Sequence, residues 1–217
     1  MNAAIVPPNE MVRPRMAVIP RLLAMASYSL PALCASLSAF LLYRVLEAMR
    51  LAENAGISAV TGGLAEANVP MLVGLYTAIA GGFITIIVAA VRSTVATTTV
   101  SPPAWFYFVT AGLCFLPVGL IWATESMFIN ALYPGSAGIS WVADNIRTLL
   151  FLTMIVGPFV VLLVFILSVI PFRLNPNGQW LGIVILVFAQ IVLILITVSF
   201  QMRTSWLWSA MESESLL

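Results

Sequence analysis

Five long apolar stretches follow one another along the chain, and the polar segments between them are too short to form a soluble domain. Crossing about 30 Å of hydrocarbon takes roughly 20 residues of α-helix, and every stretch is longer than that. The sequence therefore predicts an all-α integral membrane protein with five transmembrane helices. The predicted helices cover residues 18–50, 69–92, 103–130, 146–172 and 178–202.

These helices are expected to form a single transmembrane domain over residues 17–203. A polar tail precedes it at residues 1–16, and a C-terminal tail follows it at residues 204–217. The first apolar stretch is too long for a signal peptide, so we expect an uncleaved anchor. The Arg residues favour a cytoplasmic N-terminus by five to four, which is a weak preference for that orientation.

Charged residues are scarce in this chain. They make up 8% of the sequence, whereas soluble domains carry about 25%. There is no His, and the two cysteines, Cys34 and Cys114, lie in apolar stretches and cannot form a zinc site alone. We expect no metal, no cofactor and no catalytic residues, since no nucleophile–base pair is visible. The chain also lacks the basic face of a nucleic-acid-binding protein, so its expected surroundings are the lipid bilayer and other membrane proteins.

Ionisable residues inside or near a membrane span are costly and suggest function. Arg44 and Glu47 are spaced i, i+3 and are expected to pair on the first helix. Glu125 is expected at the membrane interface, close to the end of the third helix. Glu66 precedes the second predicted span, where it either stabilises a helix N-terminus or stands at the mouth of an ion path.

Small and polar residues recur at helical spacing on the first two helices. Two interpretations stay open for them. They allow close helix packing, or the hydroxyls of Thr77 and Thr85 face an ion or a proton-bound water in a narrow pore. The expected packing residues are Gly74 and Gly81 on the second helix, and Ser27, Cys34 and Ser38 on the first.

Part of the chain resembles the MotA/TolQ/ExbB proton-channel family. The likeness rests on the run Gly63–Ala67 (Gly-Leu-Ala-Glu-Ala), followed by Gly74-Leu75 and Ala78-Ile79 at the family's offsets. Residues 44–55 also look like the end of the family's preceding long helix. The resemblance covers about residues 25–92, under a third of the chain.

The resemblance implies a homopentamer of this chain around two copies of a single-span partner that bears an essential Asp. Glu66 matches the family's glutamate, and Ser38 lies near the position of one family threonine. Met71 stands where the family has its pore threonine. The resemblance further implies a multi-pass protein of the bacterial inner membrane.

The sequence leaves two main classes of function open. The first is an ion-motive-force-driven stator or channel subunit of the MotA/TolQ/ExbB type, with Glu66, Thr77 and Thr85 along the ion pathway. The alternative is a non-catalytic scaffold subunit of a larger membrane complex. A small transporter acting alone is a weaker third class, and a membrane-embedded enzyme comes last.

Overall fold

The computed structural model describes residues 18–51, 57–95, 104–132, 139–169 and 179–215. All of these residues are helical, and each helix contains a segment long and apolar enough to cross a membrane. This confirms the all-α fold class with five candidate membrane spans in the described part of the chain. The helices are α1 (Val18–Leu51), α2 (Ile57–Val95), α3 (Ala104–Leu132), α4 (Ile139–Val169) and α5 (Gln179–Ser215).

The second helix differs most from the sequence expectation, because it begins at Ile57 rather than at residue 69. The Gly62-Gly63 pair is part of the helix and does not form a turn. At Gly63 an added Cβ would lie 2.9 Å from a methyl group of Val45, so the glycine permits close contact with α1. α4 also begins earlier than expected, and α5 continues to Ser215 through most of the predicted C-terminal tail.

Helix directions follow from contacts between side chains. Tyr43 and Ser36 of α1 meet Arg147 and Thr153 of α4 in reverse order, so these two helices are antiparallel. α1 also contacts α2 and α3, so it packs against three of the other helices. Buried alanines line α1 and let its neighbours approach closely. They are Ala24, Ala32, Ala35 and Ala39.

α5 packs against α2 and α3 on the side of the bundle away from α4. Trp122 and Ser126 of α3 contact Ser199 and Arg203 of α5 in the same order, so α3 and α5 are parallel. One end of the bundle therefore holds the C-terminal ends of α1, α3 and α5, together with the N-terminal ends of α2 and α4. We call it the polar end.

Prolines lie inside four of the helices, at Pro31, Pro70, Pro117 and Pro158. A proline has no amide hydrogen, so the carbonyl four residues before it loses its usual helical donor. Membrane helices tolerate this where neighbouring groups replace the donor. The carbonyl affected by Pro70 belongs to Glu66, which therefore lacks its usual helical donor.

Among the described glycines, Gly157 of α4 comes closest to the backbone of another helix, which is α1. An added Cβ there would lie 2.6 Å from the backbone carbonyl oxygen of Ala32 and would also meet the hydroxyl of Ser36. A backbone carbonyl in a helix cannot rotate away. The two helices must therefore separate if Gly157 acquires a side chain.

We predict that Gly157→Ala destabilises the protein by about 1–3 kcal/mol, the usual cost of overpacking. Gly119→Ala is the matched control, because an added Cβ there meets nothing within 4 Å. The control is expected to be neutral or slightly stabilising, since alanine favours helix by up to about 1 kcal/mol over glycine. Unfolding of both variants in detergent micelles tests this; equal midpoints for the two would contradict the contact.

Candidate functional site at the polar end of the bundle

Every charged side chain whose surroundings the structure describes lies towards the polar end of the bundle. They are Arg44, Glu47, Glu66, Glu125, Arg147 and Arg203. Three cations and three anions thus gather where α1, α3 and α5 end and where α2 and α4 begin.

Arg147 of α4 organises the outer part of this cluster. Its guanidinium lies 2.9 Å from a Glu47 carboxylate oxygen and donates a hydrogen bond of 3.1 Å to the Tyr43 hydroxyl. It also lies 5.6 Å from the centre of the Tyr43 ring. Glu47 therefore pairs with another helix rather than with Arg44, the partner expected from i, i+3 spacing. Arg44 is exposed.

Glu66 lies in the third turn of α2, nine residues after the helix begins at Ile57. The expectation that it caps a helix N-terminus is therefore wrong, because that helix starts well before it. Its side chain is exposed on the outer surface of α2. The expectation that it stands at the mouth of an ion path stays a prediction.

The two threonines of α2 point in different directions. Thr77 is exposed and donates a hydrogen bond of 2.7 Å to the carbonyl of Val73. Thr85 is fully buried and donates to the carbonyl of Gly81 at 2.8 Å. Eight residues turn an α-helix by about 80° beyond two full turns, which carries Thr85 away from the face of Thr77. The two threonines therefore lie on different sides of α2, and the role of Thr85 on an ion path stays a prediction.

The expected packing residues of α1 and α2 meet one another in pairs. An added Cβ at Gly74 would lie 2.6 Å from the Cβ of Cys34, and one at Gly81 would meet the side chain of Ser27. Ser38 is also buried, and its hydroxyl has no hydrogen-bond partner in the described residues. The small residues of the two helices thus bring the backbones close together, as membrane helix pairs do.

Glu125 lies inside the bundle, where only 1% of it is exposed. The expected interface position is therefore wrong: the residue faces α2 and α5 rather than the membrane surface. The amide of Asn68, which is also buried, faces its carboxyl group. Within the described chain, neither the carboxyl oxygens of Glu125 nor the amide atoms of Asn68 have a hydrogen-bond partner at ordinary length and angle.

Arg203 of α5 is the cation that acts on Glu125. Its guanidinium is held between two groups of α3: it donates to the Ser126 hydroxyl at 3.0 Å and to the Trp122 carbonyl at 3.3 Å. It also lies 4.4 Å from the centre of the Trp122 ring, a cation–π distance. An open groove of about 460 Å³ runs alongside and is lined by Ser126, Ile129, Asn130, Met202, Arg203 and Trp206.

Sequence reasoning missed the contribution of Asn68 and Arg203 to this site. Arg203 fell at the end of the fifth predicted helix and Asn68 before the second, so both looked like interface residues. The sequence contains one signal, which is the depth of Glu125 in its membrane span. Glu125 lies about 11 Å from the middle of the span Trp105–Asn130, which is still within hydrocarbon about 30 Å thick. A carboxyl group at that depth must be shielded from the lipid hydrocarbon by other helices.

A second buried polar contact lies in the other half of the bundle. Gln190 of α5 donates a hydrogen bond of 3.1 Å to the hydroxyl of Tyr28 on α1. Its side chain occupies the space that a Cβ at Gly82 would fill. This contact links the first and last helices and fixes α5 against α2.

The described residues contain no group of three or more His, Cys, Asp or Glu side chains that could hold a metal ion. Comparison with protein-family models, with curated proteins and with solved structures finds no match to this chain.

The pairing of Arg147 with Glu47 can be measured directly. We predict a coupling energy of about 0.2–1 kcal/mol between Glu47→Gln and Arg147→Gln, because both side chains are partly exposed. Unfolding of the wild type, the two single variants and the double variant gives this value, and the coupling should weaken at high salt. Strictly additive effects would show that the observed contact contributes nothing.

Proposed function

We propose that this chain is an ion-motive-force-driven stator or channel subunit, and that the outer face of α2 forms its ion path together with a second protein. The observation that carries the proposal is the exposure of Glu66 and Thr77 on that face. The resemblance of residues 25–92 to the MotA/TolQ/ExbB family supports the same assignment. The bacterial inner membrane is the location that this proposal requires.

Depth in the membrane gives the two residues separate roles. Thr77 lies near the middle of the span Val60–Val91, and Glu66 lies about 14 Å from the middle, close to the edge of the hydrocarbon. The Glu66 carboxylate would attract cations at the entrance. The Thr77 hydroxyl is bonded to the Val73 carbonyl, and its oxygen retains acceptor capacity for a water or an ion at mid-membrane.

The outer face of α2 carries Glu66 and Thr77 among exposed apolar side chains such as Val73 and Ile84. Large apolar side chains cover α4 and α5, which suits contact with lipid tails. Among them are Phe151, Phe159, Phe188 and Leu195. A carboxylate and a hydroxyl on the α2 face favour a position against another chain, because a polar group exposed to hydrocarbon is costly.

The partner follows from what this face lacks. No acidic residue lies near the middle of α2, so a carboxylate that binds and releases the transported proton there must come from another chain. A homopentamer around a single-span protein with an Asp supplies that group and places five α2 faces around it. We therefore propose both the pentamer and the single-span partner.

We predict that Glu66→Gln and Thr77→Val each lower ion flux through the assembled complex by about tenfold or more, equivalent to roughly 1.4 kcal/mol in the barrier. Thr85→Val is the matched control. It removes the same hydroxyl from the same helix at a buried position, and its flux should stay near the wild-type value. Flux is measured in membrane vesicles that contain the whole complex.

The assembly is tested separately by cysteine cross-linking. Thr77→Cys should form disulfide-linked copies, or a link to the partner, because its face is turned inward in the assembly. Phe159→Cys on the outer face of α4 should form none. The reverse pattern, or a complex that holds one copy of this chain, would favour the alternative of a scaffold subunit in a larger membrane complex.

A further inference from the structure

We infer that Glu125 is a proton-binding site inside the bundle, with Asn68 as the partner of its neutral acid and Arg203 as the counter-ion of its carboxylate. This site lies between α2, α3 and α5 and is separate from the outer face of α2. The inference goes beyond the proposed function, because it places a titrating carboxyl within this chain itself.

The side chains of Glu125 and Asn68 are both buried. Glu125 is 1% exposed and Asn68 is 0% exposed, and hydrogen-bond partners at ordinary geometry are missing for both side chains within the described residues. An ionised carboxylate in such surroundings loses its hydration without compensation. A neutral carboxylic acid does not carry that cost, so the interior position selects the protonated form.

The chemistry of Asn68 complements that form. A protonated carboxyl has one O–H donor and one carbonyl acceptor, and a primary amide has one carbonyl acceptor and two N–H donors. The acid and the amide can therefore exchange two hydrogen bonds when they face each other. A carboxylate has acceptors only, so ionisation removes the donor that the amide oxygen needs.

Arg203 complements the ionised form. It acts on Glu125 from α5 as Asn68 does from α2. Its present partners are the neutral Ser126 hydroxyl and Trp122 carbonyl. A charge-assisted bond to a carboxylate is stronger than bonds to neutral acceptors. Loss of the proton is therefore expected to draw Arg203 from these groups towards Glu125.

We take the open groove beside Arg203 as the side from which a proton enters, although Glu125 itself does not line it. Ser126 and Arg203 both line it, and Ser126 directly follows Glu125 in α3. On protonation, a hydronium ion that reaches the groove transfers one proton to a carboxylate oxygen, an O–H bond forms, and a water molecule is left. On release the same bond breaks and water takes up the proton.

Infrared spectroscopy of the purified full-length protein tests the site. We expect the wild type to show the C=O band of a buried carboxylic acid at neutral pH, and Glu125→Gln to lose it. Glu66→Gln is the matched control and should keep the band. A wild type without the band, or a band that survives in Glu125→Gln, would overturn the inference.

The Arg203→Gln variant tests whether Glu125 gains and loses a proton or stays neutral at every pH. Without the counter-ion, the acid band should persist to a pH about one unit or more higher than in the wild type. An unchanged titration would contradict the assigned role of Arg203. If Glu125→Gln does not fold, carboxyl ¹³C spectra of Glu-labelled wild type decide the matter, since one Glu should resonate as an acid and titrate apart from the rest.

These measurements do not depend on ion flux. If Glu125→Gln loses the acid band but keeps normal ion flux, the proton-binding site is supported and is separate from the ion path. Conversely, absence of flux in every preparation would count against the proposed function and leave the spectroscopic result standing.

Discussion

The close approach of α1 to its neighbours is the contact on which the rest of the structure depends. In a bilayer, lipid tails are as apolar as the side chains they would replace, so helices gain little from burying apolar surface against one another. Short side chains on α1, matched by Gly74, Gly81 and Gly157 opposite, let backbones meet and gain dispersion contacts. This central packing leaves α2 and α3 free to meet α5, where the polar end acquires its interior.

The polar end combines three carboxyl groups whose surroundings differ. Glu47 is partly exposed and pairs with a cation on another helix, whereas Glu125 is enclosed and faces an amide. Glu66 belongs to neither group, since it stands on the outer surface of α2. One small region thus holds an ion pair, an interior acid and an outward carboxylate, and each suits a different purpose: fixing helices, holding a proton and attracting ions.

The helical fold follows directly from hydropathy, because length and composition are enough to define a span. The helix face on which a residue lies is harder to predict, because these helices are apolar on most faces and show no clear hydrophobic periodicity. Thr77 and Thr85 looked alike in sequence yet lie on different sides of α2. Glu125 looked like an interface residue because its cover comes from Asn68 and Arg203, residues far from it in the chain. Such pairings depend on tertiary contacts that a local pattern does not contain.

The position of α5 has a consequence for how the protein is made. The helix emerges from the ribosome after the other four, yet it supplies Arg203 and covers the space around Asn68 and Glu125. During synthesis the carboxyl would remain open to water or to the insertion machinery until α5 enters the membrane. A chain that ends before α5 would therefore lack Arg203 and leave the Glu125 carboxyl without this counter-ion inside the bilayer.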